Sequence, residues 1–548
     1  MQMEQKSYSF GLSRHPLLGE TIGRNLERTC NKFPGRAALI SVAQNRRFTY
    51  SELWQQVTVV AKALLALHVQ PGDRVGIWSP NRYEWVLMQY ASARAGAILV
   101  NINPAYRTSE LAYVLGQSGV SVLVSALSFK ANDYKAMIDE AKGLCENLRE
   151  EIFLEQDWDD FLGKAGDISD ERLALVENSI QFDDPVNIQY TSGTTGFPKG
   201  VTLSHYNLLN NGYFIAKRLG YSEEDKVCIP VPFYHCFAMV IGNLACTSHG
   251  ACMVIPSESF EPVKALEAVE REGCTSLYGV PTMFIAELQL PEFGRFNLSS
   301  LRTGVMAGSP CPVEVMKKVQ SLMHMKDVQI CYGMTETSPV STQTSSDTPF
   351  EKQVGTVGTV QDHLEIKIIN PETGGLQGRN EPGELCTRGY AVMLGYWNNA
   401  KATAEAIDQA RWMHSGDLAT MDEDGYVNIV GRIKDMILRG GENIYPREIE
   451  EFLYTHEAIA DVQVIGVPSE KYGEEVMAWV KRKSDNGLSE NDLVDFCSKQ
   501  IAHYKVPKYW KFVDGFPMTI TGKIRKVEMR EISIEELGLQ EVAKIQTS

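Results

Sequence analysis

The chain has 548 residues, of which 69 are acidic and 53 basic, giving a formal net charge of −16. That length exceeds one ordinary hydrophobic core and implies at least two domains. A surface this acidic repels phosphate backbones and excludes general nucleic-acid binding, while 44% hydrophobic and 22% charged residues exclude a disordered or fibrous chain.

In chain order, the N-terminal stretch MQMEQKSYSFGLSRHPLLGE carries charges and no apolar centre, so it does not read as a signal peptide. β-branched runs then recur at Ala38–Val42, Arg74–Trp78, Ala97–Ile102, Val120–Val124, Lys226–Val231 and Ala251–Ile255. Helix-period segments lie between several of them, notably Tyr50–Leu67 and Arg82–Arg94. This alternation predicts an α/β fold with helices on mostly parallel sheets. From about Pro382 the pattern changes to short alternating strands at Gly383–Thr387 and Tyr426–Val430, with an Asp424-Gly425 turn. Beyond Lys434 come a helix at Pro446–Tyr454 and strands at Asp461–Val467 and Val476–Lys481, so the domain boundary is placed near Lys434. No apolar run reaches the ~18 residues of a bilayer span, and the expectation is a soluble, cytoplasmic protein. The 11 cysteines include no CxxC pair and the ten histidines no HExxH pattern. Buried free thiols are expected, and a zinc hydrolase has no support.

The strongest local signal is Tyr190-Thr191-Ser192-Gly193-Thr194-Thr195-Gly196-Phe197-Pro198-Lys199-Gly200. It lies between strand-like runs at Val186–Gln189 and Val201–Leu203, and Ser204 reads as the N-cap of a helix reaching about Lys217. Glycines and hydroxyl residues in a tight loop let N–H and O–H groups approach phosphate oxygens, and Lys199 adds a cation. A Walker A loop is excluded, because Pro198 stands where its second glycine belongs and a strand follows.

This loop resembles the signature of the adenylate-forming superfamily, which contains acyl-CoA synthetases, luciferases and peptide-synthetase adenylation domains. Four further segments are similar to that family's motifs in its order: Tyr332-Gly333-Met334-Thr335-Glu336-Thr337, Ser415-Gly416-Asp417, Gly431-Arg432-Ile433-Lys434-Asp435 and Thr521-Gly522-Lys523. The likeness is greatest to medium-chain acyl-CoA synthetases, in Arg439-Gly440-Gly441-Glu442-Asn443-Ile444-Tyr445-Pro446 and in Tyr390-Ala391-Val392-Met393-Leu394-Gly395-Tyr396-Trp397.

The resemblance implies a large domain at 1–433, with two helix-flanked sheets and a small β-barrel subdomain. It implies a mobile α+β domain at 434–548 that carries the catalytic lysine. The implied reaction is ATP-dependent: a fatty acid becomes an acyl-adenylate with release of pyrophosphate, then an acyl-CoA with release of AMP. Lys523 would meet the carboxylate and α-phosphate, Thr335 would bind that phosphate, and Glu336 would hold magnesium. Thr191, Ser192, Gly193, Thr194, Thr195, Gly196 and Lys199 would cradle phosphates. Asp417 would accept the ribose hydroxyls and Arg432 would contact ribose or phosphate. Tyr332 would stack on adenine beside Gly333, with Gly308, Ser309 and Pro310 on the other face.

His235 would border the acyl carboxylate, though a histidine among apolar residues is equally a satisfied core group. Phe233, Phe237, Tyr278, Val280, Met306 and Ala307 would line the acyl pocket, and such residues are equally what a core contains. Lys434 takes the hinge position. Gly440 and Gly441 read either as the passage for the pantetheine of coenzyme A or as an ordinary turn. Partners are therefore a fatty acid, ATP and CoA, with no nucleic acid and a homodimer as one option. Competing readings are a ligase for long-chain or arylalkanoic acids, an adenylation enzyme that loads a carrier protein, and a nucleotide-binding protein without catalysis.

Overall fold

The computed structural model describes residues 5–191, 198–309, 311–439, 442–483, 487–498, 500–519 and 523–544. Two large sheets dominate it. The first has seven strands in the order Gly395–Tyr396, Lys199–Ser204, Pro185–Thr191, Ile98–Asn101, Arg74–Trp78, Val120–Ser125 and Glu150–Phe153. The second has nine, in the order Thr359–Val360, Val340–Gln343, Asp327–Gly333, Thr303–Ala307, Ser276–Gly279, Lys226–Cys228, Cys252–Ile255, Ala37–Ser41 and Arg46–Thr49. Pairing is parallel in the middle of both sheets, where crossover helices join the strands. Both edges of the nine-stranded sheet are antiparallel, whereas the seven-stranded sheet is antiparallel only at its Gly395–Tyr396 end and parallel at Glu150–Phe153. The run expected at Lys226–Val231 leaves the sheet after Cys228, where Pro230 and Pro232 remove ladder donors.

The helix Tyr83–Arg94 has every residue from Glu84 to Arg94 buried. At its two charged ends Glu84 pairs with Arg82, and Arg94 is compensated by Glu177, by the Thr58 hydroxyl and by the Trp54 ring 3.6 Å away. Trp85 and Tyr90 are fully enclosed, contributing on the order of 2–3 kcal/mol each. The helix Tyr50–Ala66 starts at a capping box in which Thr49 and Glu52 satisfy each other's backbone N–H groups.

A third sheet is wholly antiparallel, in the order Tyr8–Phe10, Leu364–Ile369, Gly383–Gly389, Met413–Met421 and Val427–Arg432. After the 3-10 turn Ile433–Asp435 comes a fourth, built from Glu442–Ile444, Ile437–Arg439, Gly473–Arg482, Ile459–Ser469 and Tyr509–Phe512. The helix Pro446–Tyr454 flanks it, and two hydrophobic clusters draw all their members from residue 437 onwards. All 11 cysteines are buried and unbridged, as expected. No helix among the described residues is long and apolar enough to cross a membrane.

Candidate active site

The glycine-rich segment connects two antiparallel strands: Thr191 and Lys199 face each other at the end of the ladder between Pro185–Thr191 and Lys199–Ser204. Ser192, Gly193, Thr194, Thr195 and Gly196 lie outside the described residues. The exit is fixed by Ser204, whose hydroxyl accepts the Asn207 N–H at 3.1 Å while Asn207 Oδ1 accepts the Ser204 N–H at 2.8 Å. The Asn207 amide also donates to the carbonyls of Tyr390 and Val392, which ties the following segment to this helix. That segment adds Gly395–Tyr396 to the sheet edge, with Tyr396 opposite Val201. Lys199 Nζ then sits 5.0 Å from the centre of the Tyr396 ring.

The strand Asp327–Gly333 runs into the 3-10 turn Thr335–Thr337. A Cβ on Gly333 would lie 1.8 Å from the Pro339 carbonyl oxygen, so the tight return of the chain requires glycine there. The turn buries Thr335 and Glu336, each 6% exposed. Glu336 Oε1 accepts a hydrogen bond from the Tyr396 hydroxyl at 2.8 Å, and the Glu336 carbonyl accepts the Met393 N–H. Burial raises the Glu336 pKa, against the Tyr396 hydrogen bond and the charges of Lys523 and Lys199. The Thr335 hydroxyl lies 3.7 Å from the Cys236 thiol.

His235 Nδ1 accepts the Phe237 N–H at 3.1 Å. This bond assigns the proton to Nε2, which is left as a donor. Burial, helped by the Lys523 charge, pushes the His235 pKa down to about 3, so the ring is neutral.

Asp417 follows Gly416, whose φ is +69°. Its Oδ2 accepts the Tyr332 hydroxyl at 2.7 Å, and Arg432 Nε is 3.2 Å from its Oδ1. Burial raises the Asp417 pKa, opposed first by Arg432 and then by the Tyr332 hydrogen bond. Lys523 comes from the C-terminal part, where Thr519 N–H donates to the Lys523 carbonyl at 2.8 Å and Lys523 N–H to the Thr519 hydroxyl at 3.0 Å. The side chain keeps some accessible surface, but the surrounding protein strips water from the ammonium. That desolvation lowers its pKa; the Arg432 charge acts in the same sense, and Cys236, Glu336 and Asp417 oppose it. One ammonium thus feels His235 and Cys236, Glu336, Asp417 and Arg432 together.

Of the residues expected to contact adenine, Gly308 ends the strand Thr303–Ala307 with φ +90°, its would-be Cβ 3.1 Å from Val280. Ser309 follows it half-buried, and Pro310 lies outside the described residues. Phe233, Phe237, Tyr278, Val280 and Ala307 share one buried cluster, with the Phe237 and Tyr278 rings 5.9 Å apart. Met306 is not brought to that group: alternation along its strand turns it to the opposite face, into a separate cluster. Lys434 is exposed on its 3-10 turn, and Gly440 and Gly441 lie outside the described residues. Sequence reasoning gave no role to Tyr396, Glu384 or His414, which the fold brings against Glu336 and the Asp417 turn.

Known proteins resemble this chain over most of its length. Residues 26–397 match the model for AMP-binding enzymes, and residues 448–523 match the AMP-binding enzyme C-terminal domain. The Bacillus subtilis (strain 168) protein YngI is 47% identical over 543 residues, covering 95% of this chain and 99% of that one. The mitochondrial medium-chain acyl-CoA ligase ACSF2 of Danio rerio is 42% identical over 557 residues, covering 97% and 91%. Among solved structures, ATP-bound MatB from Rhodopseudomonas palustris superposes with a TM-score of 0.83 at 28% identity, covering 94% of this chain and 99% of that one.

Proposed function

The chain belongs to the AMP-binding enzyme family, as an acid–thiol ligase of the acyl-CoA synthetase kind, and from that premise we propose that it activates medium-chain fatty acids through the residues gathered around Lys523. The observation that carries this reading is the desolvation of the Lys523 ammonium, from the C-terminal part, within electrostatic reach of Glu336, Asp417, Arg432 and His235 of the N-terminal part.

In the first half-reaction a carboxylate oxygen attacks the α-phosphorus of ATP and pyrophosphate leaves. Two anions must be held together, which calls for oriented donors and neutralising charge. Lys523 offsets charge on both the carboxylate and the α-phosphate, and a compact cation on a long stem suits that task. The neutral His235 donates from Nε2 to the carboxylate, and Thr335 donates to the α-phosphate. Thr191, Lys199 and the intervening loop bind the outer phosphates. Asp417 accepts the ribose hydroxyls, with Arg432 beside it and Tyr332 against adenine.

Glu336 suits magnesium: a buried carboxylate whose charged form burial penalises gains from a hard divalent cation. When bound, the ion would neutralise phosphate charge. In the second half-reaction the CoA sulfur attacks the acyl carbon, AMP leaves, and the thiol proton passes to solvent. We assign this step to a second orientation of residues 434–548, turned about Lys434, with Gly440 and Gly441 beside the pantetheine.

Medium chain length rests on likeness to the medium-chain ligase. Assaying AMP release with acids of about four to eighteen carbons tests it, on the scale a pocket of ordinary volume admits. A maximum at about six to twelve carbons is expected, and a maximum at sixteen or beyond, or with aryl acids, overturns the assignment.

A further inference from the structure

Asp417 sits in a bulge. Along the pairing of Gly383–Gly389 with Met413–Met421, Glu384 faces Leu418 and Cys386 faces His414, so Ser415, Gly416 and Asp417 together oppose Leu385. A bulge bends the chain and re-aims a side chain, but it also takes backbone groups out of the ladder. Here side chains replace the missing partners. The Ser415 hydroxyl donates to the Leu385 carbonyl at 2.6 Å and accepts the Asp417 N–H at 3.1 Å. Glu384 Oε1 accepts the Gly416 N–H at 3.0 Å, at the residue whose positive φ makes the turn. Its Oε2 is 2.9 Å from His414 Nδ1.

Contacts with the Cys386 thiol and the Glu384 carboxylate hold the His414 pKa up at about 10, so the ring is an imidazolium and donates to Glu384. Its Nε2 lies 3.7 Å from an Asp408 oxygen, which fixes the ring from the other side. Glu384 therefore bridges the first residue after Met413 and the apex of the bulge. These contacts all lie within the bulge and its sheet neighbours. Their effect is on where the Asp417 carboxylate points.

We propose that Glu384 is a positioning residue for the nucleoside: it clamps the bulge so that Asp417 meets both ribose hydroxyls. This rests on reading Asp417 as the ribose acceptor, and the experiment separates the two ideas. Fatty-acid-dependent pyrophosphate exchange is measured on the full chain with ATP, 2′-deoxyATP and 3′-deoxyATP. Wild type should prefer ATP over each deoxy analogue by about tenfold or more in kcat/KM, the size of a hydrogen bond to a charged group. In Glu384→Ala the preference should fall below about threefold, with KM for ATP raised and kcat less affected.

Glu384→Gln keeps one acceptor for Gly416 and should fall between. A merely structural role would lower activity with all three nucleotides alike and leave the preference intact. If wild type shows no preference, the ribose reading of Asp417 fails. If wild type discriminates and Glu384→Gln and Glu384→Ala still do so in full, the clamp fails. Should Glu384→Ala not fold, as judged by thermal unfolding, Glu384→Gln and His414→Gln decide the question in its place, since each removes the charged bridge and should narrow the preference.

Discussion

The Tyr396 hydroxyl donates to Glu336 Oε1 at 2.8 Å, across 60 positions of sequence. Lys199 lies over the same ring, so one phenol joins the phosphate hairpin, the 3-10 turn and the sheet edge. A carboxylate proposed to hold a cation needs its orientation fixed by such outer partners. Tyr396→Phe should keep the packing and lose the bond. The expected result is an adenylation kcat/KM about tenfold lower or worse and a higher magnesium concentration for half-maximal exchange, with the melting temperature little changed. An unchanged magnesium titration would remove this role.

Lys523 is expected to act in the first half-reaction alone. Lys523→Ala should reduce adenylate formation by about a hundredfold or more, the scale of removing one preorganised donor at developing charge. Thioester formation from supplied acyl-adenylate should survive, and equal loss of both steps would contradict the assignment. Because burial lowers the ammonium's pKa, the charged form is lost at a pH below that of an ordinary lysine. Adenylation should therefore fall on the alkaline side at lower pH than ~10.4. Lys523→Arg, which stays charged, should be slower but lack that decline.

Much of the fold was legible because its signals are local. The strand Arg74–Trp78 and the helix Pro446–Tyr454 have the bounds their patterns suggest, since β-branched residues mark one and Pro446 and the apolar stripe mark the other. The π-helix Phe237–Leu244 was not legible: all eight residues are buried, and a segment enclosed on every side has no polar face to give it a period. At the site, Ser204 as a cap and the hairpin it closes could be read from neighbouring residues. Tyr396 on Glu336 and Tyr332 on Asp417 could not, because each contact depends on which strands become sheet neighbours. Met306 shows the converse limit. Its segment identified the right strand, but alternation sends Ala307 and Met306 to opposite faces.

Glu287, on the helix Pro281–Leu288, is 1% exposed and neither carboxylate oxygen has a hydrogen-bond partner among the described residues. Burial raises its pKa well above the ordinary value, so the folded chain binds this proton more tightly than the unfolded one. Its contribution is therefore complete below the unfolded value of about 4.3 and is lost as pH rises towards the raised folded value. Glu287→Leu removes the titration at nearly constant volume. The variant's advantage in unfolding free energy should grow with pH through that window by up to about 1.4 kcal/mol per pH unit. Denaturant unfolding at pH 5 and pH 8 checks it, and parallel pH profiles for the two proteins would show that Glu287 is paired after all.

Lys434 occupies the middle of the 3-10 turn Ile433–Asp435, between a strand of the third sheet and the first strand of the fourth. Proline fixes φ near −65°, which this turn already suits, but it forbids the large rotation a hinge would need. Lys434→Pro should therefore hold the orientation in which Lys523 faces Glu336 and Asp417. Pyrophosphate exchange is expected to stay within about threefold of wild type, because that half-reaction is the one assigned to the orientation with Lys523 in the site. Thioester formation from isolated acyl-adenylate and CoA should drop by about a hundredfold or more, as expected when a required conformational step is blocked. If CoA thioester accumulates at the wild-type rate, residues 434–548 do not turn about this point. The second step must then proceed with the Lys523 loop still in the cleft.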